Sequence, residues 1–260
     1  MPKFLIPNED RVIIATPTGR RGAIKKDAFN RFNESILGLG TIGMKSIPLN
    51  ALSVIFDLEG FTNFCKQIDP QLAVPEYLSQ FLNWIFEQVK TELVEEERNE
   101  GFLTWSELPI LSKYLGDGLL FLWNTEMMNE TQIANVIVSM LEICQNYVKE
   151  FLPKMSKIVV SPPAKLRCGI ARGIVYSVGD GNDFVGPCIN MSARLQKLHS
   201  LTFCFSRRGL DPKALSASYA KDFVVKKVDI RGIGGDELVC ILKNEYDKLT
   251  PEEKKGFLKI

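Results

Sequence analysis

Long apolar runs are missing from this chain: no stretch approaches the roughly 18 residues that a membrane-spanning helix needs. The opening MPKFLIPNED has neither the apolar core nor the small-residue cleavage site of a secretory signal, so a cytoplasmic protein with no membrane partner is expected. An excess of charge of either sign is missing too. Lys and Arg number 32 against 31 Asp and Glu, so no whole-protein field draws the chain to nucleic acid, and any phosphate binding must be local. Histidine is nearly absent. The single His199 builds neither a histidine metal site nor a Ser-His triad, which removes zinc chemistry and most nucleophilic hydrolases. The six cysteines, Cys65, Cys144, Cys168, Cys188, Cys204 and Cys240, include no CxxC pair and sit mostly in apolar segments, as buried free thiols in a reducing compartment do. A P-loop is lacking as well, because no GK[ST] follows the GRRG at positions 19–22.

What is present is a chain of 260 residues, 45% apolar, enough for one good core. Residues 1–49, rich in Gly, Pro and basic residues around TPTGRRGAIKK, read as an N-terminal extension or arm. Residues 50–245 read as the main domain and 246–260 as a tail. The run ALSVIFD from Ala51 is short, apolar and β-branched and breaks at Gly60, as a buried strand does before a turn. Tyr77, Phe81, Ile85, Val89 and Leu93 recur every four residues and predict a helix with an apolar stripe. KYLGDGLLFLW predicts two strands joined at Gly116-Asp117-Gly118. Ile133, Ile137, Met140, Leu141, Cys144 and Val148 predict a second helix that ends before Pro153. Two strands, LRCGIARG and IVYSVG, a short helix over 190–198, a strand LTFCFS and a closing hairpin over 223–242 follow. This order predicts an α+β fold of the split βαβ, ferredoxin-like kind with a C-terminal extension.

Two aspartates stand at turns beside apolar strands, Asp57 in FDLEGFT and Asp117 in KYLGDG. Mg²⁺ or Mn²⁺ favours one or two protein carboxylates plus substrate phosphates, so the pair suits a metal–triphosphate site. Taken singly, Asp117 is an ordinary Asp-Gly turn residue.

FDLEGFT and KYLGDG resemble the first and second metal motifs of class III adenylyl and guanylyl cyclases. LRCGIARG followed by DFVGPCINMSARLQ resembles the segment that ends in Gly-x-x-x-Asn-x-x-x-Arg, matched by Gly186, Asn190 and Arg194. The resemblance runs from Ala51 to Leu242, with the motifs in family order. It implies a nucleotidyl cyclase that closes a nucleoside triphosphate into its 3′,5′-cyclic monophosphate and releases pyrophosphate. By the same resemblance, Asp57, Asp117 and the carbonyl of Leu58 hold two divalent metals, Mg²⁺ or Mn²⁺, and amides around Gly60, Phe61 and Thr62 cradle phosphates. Asn190 orients the ribose, Arg194 stabilises charge on the reacting phosphate, and Arg167 touches phosphate. Lys113 and Asp183 occupy the base-reading positions, which hold Lys and Asp in adenylyl cyclases and typically Glu and Cys in guanylyl cyclases. A donor beside an acceptor matches adenine or cytosine better than guanine or uracil. FDLEGFT, FLNWIF and KYLGDGLLFLW also resemble the Pycsar-type pyrimidine cyclases of bacterial antiphage defence, which implies CTP or UTP. The family pattern further implies a head-to-tail homodimer, each site taking its metal aspartates from one chain and its Asn, Arg and base-reading pair from the other.

Two departures stand out. The family's lysine between the glycines of the C-terminal hairpin is Ile233 here, with Arg231 as its candidate substitute, and the histidine of GIHxG is Ala171. The tail GGDEL imitates the signature of diguanylate cyclases, but little chain follows Leu242, and Gly234 and Gly235 read as turn residues. A third reading is a catalytically inactive nucleotide-binding module.

Overall fold

The computed structural model describes residues 4–230 and 232–258, so Arg231 lies outside the described residues. The chain forms two compact units, Met1–Ile47 with Ser177–Phe184, and Pro48–Tyr176 with Val185–Ile260. In the first, strands β1 (Arg11–Thr16) and β2 (Gly19–Ile24) pair antiparallel, and a short helix α1 (Lys26–Asn30) follows. Hydrogen bonds join its two segments. The Ile47 N–H donates to the Ser177 hydroxyl at 2.9 Å, and the Asp180 N–H donates to the Leu39 carbonyl at 3.1 Å.

The second unit opens with β3 (Pro48–Glu59), then α2 (Phe61–Phe64) and α3 (Pro70–Leu93). A small hairpin of β4 (Val94–Arg98) and β5 (Gly101–Thr104) precedes β6 (Leu111–Tyr114), β7 (Gly118–Asn124), α4 (Glu130–Asn146) and α5 (Leu152–Met155). Next come β8 (Lys165–Val178), β9 (Asp183–Val185), α6 (Pro187–Leu195), β10 (Phe203–Ser206), α7 (Ala217–Ala220), β11 (Phe223–Ile230) and β12 (Gly234–Leu242). The end of the chain adds α8 (Lys243–Lys248), α9 (Pro251–Lys255) and β13 (Phe257–Leu258), which pairs with the edge of β11.

The main sheet runs in the order β13-β11-β12-β10-β8-β3-β7-β6. Its last four members are the split βαβ core: β7 lies between β3 and β6, and β3 lies between β8 and β7. The C-terminal extension is laid on the other side through β10, parallel to β8. Alternation along β3 sets the layers. Leu52, Val54, Phe56 and Leu58 join the core under α3 and α4, so the intervening Ser53, Ile55 and Asp57 face the opposite side of the sheet. The α3 stripe is buried as the spacing predicts. Inside this core the Tyr77 and Tyr147 hydroxyls share a hydrogen bond of 2.7 Å, and Tyr147 donates to the Pro163 carbonyl, so both buried phenols are satisfied. Five of the six cysteines are buried; burial pushes the Cys188 thiol up to about 11 and Cys240 to about 12, which makes them inert at neutral pH.

Three local expectations fail for identifiable reasons. The second helix does not stop before Pro153: a π-helical turn over Tyr147–Phe151 carries it into α5, whose second residue is Pro153. The wider turn rotates the stripe, so Tyr147 and Phe151 enter the core and Val148 is exposed. LRCGIARG and IVYSVG form one strand, because pairing with the twelve residues of β3 carries β8 through Gly173 without a turn. Gly234 and Gly235 begin β12 rather than make the turn, with Gly234 opposite Ile230 across a register irregularity.

Candidate active site

Two glycines that could carry no side chain bring the site together. Asp57 lies opposite Gly118 in the β3–β7 ladder, and the Leu58 N–H donates to the Asp117 carbonyl at 2.9 Å. A Cβ on Gly118 would stand 1.9 Å from the Phe56 carbonyl oxygen, so only glycine lets the turn holding Asp117 close onto β3. On β8, a Cβ on Gly169 would stand 2.3 Å from the Ser192 carbonyl and 2.4 Å from the Gln196 amide nitrogen. α6 therefore sits flush on the sheet. The buried hydroxyls of Ser53 and Ser192, 2.7 Å apart, fasten it to β3.

This seating makes two cavities. The larger, about 500 Å³, is lined by Asp57, Asp117, Asn190, Arg194 and Lys197, with Gly232 and Ile233 of the β11–β12 turn among the rest. The smaller, about 310 Å³, is lined by Asp57, Leu58, Gly60, Phe61, Thr62, Asn63, Asp117, Arg167 and Lys197. Asn190 and Arg194 are exposed on α6, four residues apart and on one face. Gly60 has φ 88°, a left-handed turn that starts α2 at once; its carbonyl accepts from the Asn63 and Phe64 amides. First-turn amides such as those of Phe61 and Thr62 have no intrahelical acceptor and are suited to an anion.

Asp57 is 4% exposed, and both its oxygens face cations. The Arg167 guanidinium donates to Oδ2 at 2.7 Å, and the Lys197 ammonium stands 3.5 Å from Oδ1. Arg167 Nε is buried without a hydrogen-bond partner, a donor that the protein alone leaves unused. Among the described residues, no group of three or more His, Cys, Asp or Glu side chains could hold a metal. The site's hard oxygen donors, two carboxylates and a carbonyl, fit Mg²⁺ or Mn²⁺ whose remaining positions are filled by phosphate and water, and do not fit a self-sufficient zinc cage.

Lys113 and Asp183 line neither cavity. Lys113 lies opposite Leu120, itself opposite Ile55, so its side chain leaves the sheet on the same face as Asp57. Asp183 opens β9 in the other unit, where its carboxylate accepts from the Phe184 N–H at 2.9 Å. Sequence reasoning missed Lys197. The signal was available, because positions 190, 194 and 197 follow the i, i+4, i+7 spacing of one helix face.

The GGDEL imitation resolves into structure. Glu237 is buried and bonded in two places by the Arg208 guanidinium, and Asp236 pairs with Lys227 at 2.9 Å on the neighbouring strand. Both carboxylates are held as internal ion pairs.

No protein-family profile matches the sequence, and no curated protein does either. Solved structures do match. The adenylyl cyclase CyaB from P. aeruginosa aligns over 76% of this chain and 96% of its own, at 13% identity and TM-score 0.57. The catalytic core of a rhodopsin-guanylyl cyclase with converted specificity, in complex with ATPαS, aligns over 76% and 98%, at 16% identity and TM-score 0.52. The guanylate cyclase domain of RhGC from Catenaria anguillulae, in complex with GTP, aligns over 75% and 97%, at 15% identity and TM-score 0.51. The chain therefore has the fold of the adenylyl and guanylyl cyclase catalytic domains. Among the described residues no helix is long and apolar enough to cross a membrane.

Proposed function

We propose that this protein is a nucleotidyl cyclase acting on a pyrimidine nucleoside triphosphate, CTP or UTP, and that its cCMP or cUMP serves signalling in antiphage defence. The observation that carries the cyclase reading is the shared cavity: Asp57 of β3, Asp117 of the turn before β7, and Asn190 and Arg194 of α6 come from three separate stretches of sequence and line one space. Asp57 and Asp117 would hold divalent ions, which would supply Lewis acidity toward the ribose 3′-oxygen and the phosphates. Asn190 offers an amide to orient the ribose. Arg194 offers planar donors to charge that develops as the α-phosphorus passes from pyrophosphate to the 3′-oxygen. Arg167 and the Phe61 and Thr62 amides supply further phosphate donors. The 3′-hydroxyl proton leaves to solvent water as the bond to pyrophosphate breaks, so no side chain is needed as a dedicated base.

The active species proposed is a head-to-tail homodimer with shared sites. The sheet edge supports it. β6 is a four-residue edge strand, and Leu108, Ile110, Tyr114 and Leu115 on and around it are exposed beside the turn that carries Asp117. One observation favours a second arrangement, a site complete within one chain, since a single cavity holds the full set of four residues.

Base choice rests on Lys113 and Asp183. With Mn²⁺ and each of the four nucleoside triphosphates in turn, CTP or UTP is expected to give the fastest cyclisation; a preference for ATP would make the protein an adenylate cyclase. Exchanging Lys113→Glu together with Asp183→Cys is expected to reduce kcat/KM for the preferred substrate by at least roughly 30-fold. Each mismatched polar group costs about 1–3 kcal/mol. An unchanged order among the four substrates, measured on folded protein, would show that these side chains do not read the base.

A further inference from the structure

Among the described residues, Lys197 is the one cation that lines both cavities. It lies two residues past the end of α6, its amide bonded to the Arg194 carbonyl at 3.2 Å, so the turn that closes the helix sets its place relative to Arg194. The two cations on Asp57 differ in kind. Arg167 has a side chain 17% exposed and is held by its surroundings, whereas that of Lys197 is 58% exposed, a hydrated ammonium on a flexible stem at the mouth of the site. The β11–β12 turn presents Gly232 and Ile233 to the larger cavity, so among the described residues no charge reaches it from that side.

We propose, resting on the cyclase reading, that Lys197 has two alternating partners: Asp57 while no metal is bound, and the terminal phosphates of the substrate once metal is bound. The physical reason is competition for one carboxylate. A divalent ion held by the Asp57 carboxylate would repel the ammonium that stands 3.5 Å from Oδ1, and an exposed lysine would relieve the repulsion by swinging away at little cost. The charge it then presents borders both cavities, beside Arg194 in the larger and beside Arg167 and the Gly60–Asn63 segment in the smaller. Lys197 thereby supplies the phosphate cation that Ile233 does not, and it shields Asp57 until metal and nucleotide arrive together.

The two roles give effects of opposite sign. In Lys197→Met, Mn²⁺ binding in the absence of nucleotide, read from the free Mn²⁺ signal by electron paramagnetic resonance, is expected to tighten about 3- to 10-fold because a competitor for Asp57 is gone. Binding of inorganic tripolyphosphate at saturating Mn²⁺, read by calorimetry, is expected to weaken roughly 10- to 100-fold for loss of a charge-assisted bond. Lys197→Arg is expected to keep tripolyphosphate affinity within about threefold of wild type. Thermal melts of both variants should match wild type, as the side chain is exposed. Two affinities that move in the same direction, or that do not move, overturn the proposal. The cyclase reading fails separately: opposed shifts in Lys197→Met, with a wild-type protein that forms no cyclic nucleotide from any substrate, keep Lys197 as a polyphosphate ligand and refute the cyclase. A wild-type protein that cyclises while Lys197→Met binds both ligands unchanged refutes only the role of Lys197.

Discussion

Asp117→Ala and Asp57→Asn each lower turnover at least about 10³-fold, roughly 4 kcal/mol of barrier at 1.36 kcal/mol per decade, because each removes a carboxylate on which a metal–triphosphate complex depends. Their effects on stability separate. Asp117 is partly exposed on a turn, and its replacement is expected to shift unfolding by no more than about 0.5 kcal/mol. Asp57 is buried, and its charge is the partner of Arg167, whose Nε already lacks an acceptor. Breaking a buried pair from one side costs up to about 3–5 kcal/mol, so Asp57→Asn should melt well below Asp117→Ala while both stay folded at room temperature. Product formed per mole of enzyme and a thermal melt of each variant check this. Full activity in either, or undiminished wild-type activity in excess chelator, would refute the metal site.

Complementation between two inactive variants has the next largest effect. Asp117→Ala and Arg194→Ala homodimers are each expected to be inactive, because every shared site lacks either a metal ligand or the cation that faces the reacting phosphate. In a mixed dimer both lesions fall in the same site, and the other is intact. With free exchange about half the dimers are mixed and each has one working site of two, so activity recovers to roughly one quarter of wild type. The measurement is cyclic nucleotide formed after co-expression of equal amounts. No recovery despite demonstrated mixed dimers would place the whole site within one chain, the arrangement that the single-chain cavity favours.

The parts of this molecule that were legible from its sequence are those governed by local periodicity. The short apolar run of β3, the four-residue spacing of α3 and the Asp-Gly turn before β7 each depend on neighbours in sequence, and each appears where the pattern puts it. What was not legible depends on partners far along the chain. Gly173 looks like a break in β8 but lies where a Cβ would come within 3.3 Å of Cys188 on α6; it is a packing position inside a continuous strand. The π turn at Tyr147–Phe151 follows from the aromatic cluster of Tyr77, Phe81 and Trp84 against which it packs. In the site, the aspartates and the α6 pair could be read from motif spacing. Lys197 could not be joined to Asp57, 140 positions away, without the sheet register that brings α6 over β3.

The central claim is a reaction, and its product tests it most directly. Wild-type protein is incubated with Mn²⁺ and each nucleoside triphosphate, and the products are identified by mass and counted. The account predicts a 3′,5′-cyclic mononucleotide and pyrophosphate in equal amounts, lost in Asp117→Ala; a cyclic dinucleotide, a linear monophosphate, or no product from any of the four would contradict it.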